Sequence, residues 1–170
     1  MITLFRLDER MIHGQIAAKW TGACGANRIV VASDKAATNE VIQKGLKMAA
    51  PSQVKVSIKK VDDAITLLND PRCEPLKIMV IFTNVDDGIK LLSSVSGIPK
   101  VIVGNHGVLA KKREGQERKG YTNLIYCYDD EAEKFREFIK LGHQKNIDVV
   151  FQTVPEDNPV KLDKVFGVNN

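Results

Sequence analysis

Ile2-Thr3-Leu4-Phe5-Arg6-Leu7-Asp8-Glu9-Arg10-Met11-Ile12-His13-Gly14-Gln15 carries both the first structural signal of the chain and its most concentrated chemistry. Ile2–Leu7 reads as a strand. Charged residues follow, and Ile16, Ala17 and Trp20 then fall at the spacing of one buried helical face. A strand running through a short polar loop into a helix begins a β-α-β unit.

The same alternation continues outward. Ile29–Ala32, Val54–Ile58, Ile78–Phe82 and Val101–Val103 read as strands, with Leu124–Cys127 and Val149–Phe151 as later candidates. Ile78-Met79-Val80-Ile81-Phe82 is apolar on both faces, as a central parallel strand requires. Between the strands, Ser33 or Asp34 can cap a helix running to about Ala50, where Pro51 stops it. Asp62–Leu68 forms another. Asn84 can cap a third, with Val85, Ile89 and Leu92 on one face. Asp130 can cap a fourth, with Ala132, Phe135, Phe138, Ile139 and Gly142 in a stripe. The expected fold is α/β: one three-layer α/β/α domain over residues 1–170 with a mostly parallel central sheet. Ligands in such sheets sit beyond the carboxyl ends of the strands. The loop after Leu7, Ser33-Asp34, Thr83-Asn84 and Gly104–Gly107 are therefore the places to search.

Composition narrows the function. Lys+Arg 25 against Asp+Glu 21 leaves a net charge of +4, too small an excess for a dedicated nucleic-acid binder. Cys24, Cys73 and Cys127 are odd in number and form no Cys-x-x-Cys, which fits a reducing compartment. No apolar run approaches the ~18 residues of a membrane-spanning helix, and the first residues lack the apolar core of a signal peptide. A cytoplasmic protein is expected. No Gly-x-Gly-x-x-Gly follows the first strand, no His or Cys pair has zinc spacing, and no Gly-x-Ser-x-Gly occurs. Gly115–Gly120 has the glycine spacing of a phosphate loop, but Tyr121 stands where lysine is required. Lys111-Lys112-Arg113 with Arg118-Lys119 offers an RNA-binding alternative, partly neutralised by Glu114 and Glu117; a solvated surface loop is the preferred reading.

The loop after the first strand supplies parts for phosphoryl transfer. His13 sits near a helix N-terminus, where free N–H groups receive anions. Gly14 allows close backbone approach. Arg6 and Arg10 can each fork onto phosphate oxygens, while Asp8 and Glu9 can orient the ring or the arginines. Free imidazole, with a pKa of ~6.5, is a competent neutral nucleophile. Attack on phosphorus gives phosphohistidine and requires mainly positioning and electrostatics, with no metal and no cofactor. Of the three histidines, the arginines and the helix start rank His13 first. His106 in its glycine-rich loop comes second, and His143 at a helix C-terminus last.

Arg6–Gln15, continuing to Trp20, resembles the Arg-hydrophobic-Asp-Asp-Arg-Leu-Ile-His-Gly-Gln motif of the IIB components of the mannose/fructose/sorbose family of the bacterial phosphoenolpyruvate-dependent sugar phosphotransferase system. The similarity continues through Arg28–Asp34, Ala49-Ala50-Pro51, Phe82-Thr83-Asn84 and Val103-Gly104. It implies that His13 accepts phosphate, on Nδ1, from a phosphohistidine of a separate IIA protein. His13 would then pass it to a sugar held by a membrane IIC/IID permease. Arg6, Asp8, Arg10, Gly14, Gln15, Thr83 and Asn84 are the implied site residues. The implied location is the cytoplasmic side of the membrane beside the permease, and self-association is compatible with it. A regulatory module carrying a stable His13 phosphate is the alternative within this fold. Glu9 and Met11 stand where Asp and Leu are usual, and Gly104-Asn105-His106-Gly107 departs from the Gly-Gly-apolar pattern of the family.

Overall fold

A computed structural model describes residues 1–169. Seven strands form the central sheet: β1 (Ile2–Leu7), β2 (Arg28–Ala32), β3 (Lys55–Lys59), β4 (Ile78–Phe82), β5 (Val101–Val103), and two later ones. A hairpin, β6 (Lys119–Thr122) and β7 (Ile125–Cys127), stands apart from it; β8 (Val149–Phe151) and β9 (Val160–Lys161) complete the sheet. The spatial order is β3-β2-β4-β1-β5-β8-β9, and only β9 runs antiparallel to its neighbour. The α/β reading of the sequence therefore holds.

Side-chain alternation along the strands builds two apolar layers. Phe5 and Leu7 of β1, Val30 and Ala32 of β2, and Val80 and Phe82 of β4 face one layer. There they meet α4 (Val61–Leu68), α5 (Val85–Ser94), α6 (Asp129–Gln144) and α7 (Leu162–Phe166). Leu4, Ile29, Val31, Met79 and Ile81 face the other layer. It is closed by α1 (Gly14–Cys24), α2 (Asp34–Ala37) and α3 (Glu40–Ala49). Arg6 lies on this second side, one pleat beyond Leu4, where the alternation would place an apolar residue.

Three expectations need correction. The helix expected from Ser33 to Ala50 is two helices, because Asn39 accepts the Ile42 N–H at 3.0 Å and starts a new one. Leu124–Cys127 does not join the sheet: β7 pairs antiparallel with β6, a strand the surface-loop reading of that basic stretch did not include. Helix α6 begins at Asp129 rather than being capped by Asp130; the Glu131 carboxylate accepts the Tyr128 N–H at 2.9 Å, closing its first turn.

The carboxyl ends of β4, β1 and β5 lie side by side. The Asp8 N–H donates to the Phe82 carbonyl and the Gly104 N–H to the Leu7 carbonyl, both at 2.9 Å. The loop after β1 is thereby fixed to both neighbouring strands.

Candidate functional site

Asp8 is the centre of the site. Its carboxylate is buried and accepts from four groups. The Arg6 Nε and Nη2 donate to Oδ2 at 3.2 and 3.0 Å. The Arg10 N–H and Asn105 Nδ2 donate to Oδ1 at 3.0 and 2.7 Å. His13 Nε2 lies 3.2 Å from Oδ2. Burial pushes the Asp8 carboxyl upward, but the His13 hydrogen bond, the Arg6 charge and Asn105 outweigh it and hold the group below the usual carboxylate value.

His13 is the N-cap of α1 with extended backbone, and its side chain keeps 17% of its exposure. With Nε2 on a carboxylate that stays ionised, the proton belongs on Nε2 and the lone pair on Nδ1. Gly14 follows at φ +45°, and a Cβ there would meet nothing within 4 Å, so the helix start is open. The N–H groups of Gly14 and Gln15 precede the first intrahelical bond, which runs from Ala17 to the His13 carbonyl. Both residues are exposed, as is Arg10, whose guanidinium makes no ion pair among the described residues.

Arg6 occupies a different place from the one expected of it. It is 2% exposed and cannot fork onto a phosphate. Besides Asp8, its guanidinium donates to the Gln152 and Thr153 carbonyls at 3.0 and 3.3 Å, and Cζ lies 5.2 Å from the centre of the Trp20 ring. The strand alternation buries it under the loop, where it holds Asp8. Thr83 and Asn84 also lie outside this network. The Asn84 side chain caps α5, accepting the Asp87 N–H at 2.8 Å and donating to its carboxylate at 2.7 Å. Helix α5 belongs to the opposite layer from α1.

Asn105 was not legible as a site residue, and Glu9, expected to orient the His13 ring or the arginines, reaches the backbone of residues 107–109 instead. Asn105 accepts the Glu9 N–H through Oδ1 at 3.0 Å while its Nδ2 serves Asp8. Glu9 sends its carboxylate across to the N–H groups of Gly107, Val108 and Leu109 at 2.7, 3.1 and 3.0 Å. The signals for them were the departures from the family pattern at Glu9 and at Gly104–Gly107.

His106 is buried against Phe135, with ring centres 5.0 Å apart, and neither ring nitrogen has a hydrogen-bond partner. Glu131 Oε2 stands 3.6 Å away. His143 lies near Asp163 at 3.6 Å, in the last turn of α6. In the basic stretch, Arg113 pairs with Asp130, Arg118 with Glu131 and Lys119 with Asp129, while Lys111 and Lys112 are exposed and make no ion pair among the described residues. Among the described residues no cluster of ligating side chains could hold a metal, and no helix is long and apolar enough to cross a membrane.

A family model described as "PTS system sorbose subfamily IIB component" matches residues 2–170. The chain belongs to this family. It is 36% identical over 167 residues to a probable phosphotransferase enzyme IIB component of Streptococcus pyogenes serotype M6, covering 98% of this chain and 100% of that one. It is 32% identical, again over 167 residues, to a sorbose-specific EIIB component of Lacticaseibacillus casei, covering 98% of each. Among solved structures, the IIBSor domain of the sorbose permease of Klebsiella pneumoniae superposes with a TM-score of 0.85. That match has 26% identity over 100% of this chain and 98% of that one. The chain is therefore a phosphotransferase component of a sugar phosphotransferase system, acting with IIA and IIC/IID partners. Neither the regulatory nor the RNA-binding alternative is favoured.

Proposed function

We propose that His13 is the phosphate acceptor of this component and that Nδ1 is its attacking atom. The contact between His13 Nε2 and Asp8 Oδ2 carries this reading, because it fixes the proton on the far nitrogen. The Nδ1 lone pair attacks the phosphorus of a IIA phosphohistidine. A new N–P bond forms as the donor's P–N bond breaks, and that electron pair returns to the donor imidazole. The His13 ring gains positive charge, which the buried Asp8 carboxylate stabilises through Nε2–H. Arg10 and the Gly14 and Gln15 amides face the transferring oxygens at the positive end of α1.

In the second step a sugar hydroxyl, held by the IIC/IID permease, attacks the same phosphorus. Its proton leaves to solvent and the bonding pair returns to Nδ1. Residues 1–170 act in this cycle as one IIB-type unit on the cytoplasmic face of the membrane, beside the permease. No nucleic acid takes part, and the reading requires no homo-oligomer.

The test supplies phosphoenolpyruvate, the general phosphotransferase proteins and a matching IIA, and then maps the labelled peptide. His13→Ala should abolish labelling, while His106→Ala and His143→Ala keep it. Labelling that survives His13→Ala and disappears with His106→Ala would overturn the assignment. Phosphate that stays on His13 when permease and sugar are added would favour a regulatory role instead.

A further inference from the structure

Asp8 is held in an unusual way. A guanidinium facing a carboxylate normally forks onto both oxygens. Here both Arg6 donors converge on Oδ2, at 3.2 and 3.0 Å, and that same oxygen receives His13. The reason lies at Oδ1, which is filled by the Arg10 N–H and by Asn105 Nδ2. The Asn105 contact is the shorter of the two, at 2.7 Å, and comes from a side chain 97 residues away in sequence.

The Asn105 side chain is not needed to hold its own loop. The His106 N–H donates to the Leu124 carbonyl and the Tyr126 N–H to the His106 carbonyl, both at 2.9 Å. Glu9 ties down the next three residues through their N–H groups. The backbone of residues 106–109 is thus fixed from two sides. The amide of Asn105 is free to serve only the Asp8-Glu9 turn, and both of its ends are spent there.

We propose that Asn105 is a positioning residue for phosphoryl transfer: by occupying Oδ1 of Asp8 and the N–H of Glu9, it aims Oδ2 at His13 Nε2 and keeps Nδ1 unprotonated. Without it, Asp8 relaxes toward the ordinary two-oxygen fork with Arg6, and the imidazole loses its anchor. Glu9 supports this by holding the loop that presents Asn105. The proposal rests on His13 being the acceptor.

Long-range proton–nitrogen NMR of the full chain reads the tautomer of His13 directly. The wild-type ring should be the Nε2–H form. Asn105→Ala, and Asn105→Asp, which keeps the shape but in its ionised form has no donor, should give a mixture of tautomers. Both should accept phosphate from phospho-IIA more slowly, by up to ~10²-fold for a misaligned group, with KM for IIA unchanged. Wild-type tautomer and wild-type rate in either folded variant would overturn the proposal. A predominantly Nδ1–H ring in the wild-type protein would overturn it without any variant. His13→Ala in the same assay separates the two readings: if it abolishes labelling while the Asn105 variants are silent, only the role of Asn105 falls.

Discussion

The guanidinium of Arg6 lies in the space that a side chain at position 104 would fill. A Cβ built on Gly104 would overlap Nη2 and Cζ of Arg6. The buried Arg6–Asp8 pair therefore depends on a glycine in the neighbouring strand-end loop, and so does the orientation of His13.

Gly104→Ala should push Arg6 off Asp8 and leave two buried charges poorly paired. Breaking a buried pair costs about 3–5 kcal/mol. Urea unfolding should show a lower midpoint, and phosphate acceptance should fall with it. A midpoint equal to wild type would mean that Arg6 has another place to go.

Arg10→Lys should leave the fold intact, because the Arg10 side chain is exposed and the contact with Asp8 comes from the backbone N–H. Lysine offers a point charge without the planar donor pair. Loss of one transition-state hydrogen bond slows transfer by ~10²-fold or more. Rapid-quench assays with labelled IIA measure this; transfer at the wild-type rate would reduce Arg10 to a surface charge.

Acidification should destabilise the protein in two stages. Burial, partly opposed by Glu131 and Glu9 and aided by Arg118, holds the His106 imidazole below its ordinary value. Its contribution is complete above about pH 6.5 and is lost as pH falls through the lower native value. Asp8 is likewise held below its ordinary value, so its contribution is complete above about pH 4 and is lost at still lower pH. Calorimetric melting across this range should show both declines. His106→Leu should remove the upper one and keep the lower.

Thiol reactivity should be unequal. Burial pushes the Cys127 thiol up to about 12, with the Glu131 charge acting in the same direction. Cys73 is also buried, and Cys24 is partly exposed. A thiol reagent should titrate one cysteine in the native protein and all three after denaturation. Rapid native reaction at Cys127 would show that the hairpin β6/β7 opens.

Strand and helix placement was legible because it is local. The short apolar runs of β1, β2 and β4 and the turn residues between them appear within windows of a few residues. The loop from Asp8 to Gln15 was legible as chemistry for the same reason: its nucleophile, cation and helix start are neighbours in sequence. The limits were also physical. Asn39 breaks a helix whose apolar period runs on past it, and β7 finds a partner in β6 where the composition suggests a loop.

The sequence by itself determined the α/β layering, the position of His13 at the start of α1 and the presence of Asp8 and Arg10 beside it, since each follows from residues within a few positions of one another. Only the tertiary structure decided what those residues do to each other. Strand alternation turned Arg6 inward, the missing side chain at Gly104 made room for it, and Asn105 crossed from the end of β5 to fill Asp8 Oδ1. These contacts join residues about a hundred positions apart, and their geometry is set by the parallel pairing of β1 with β5, which no local pattern encodes.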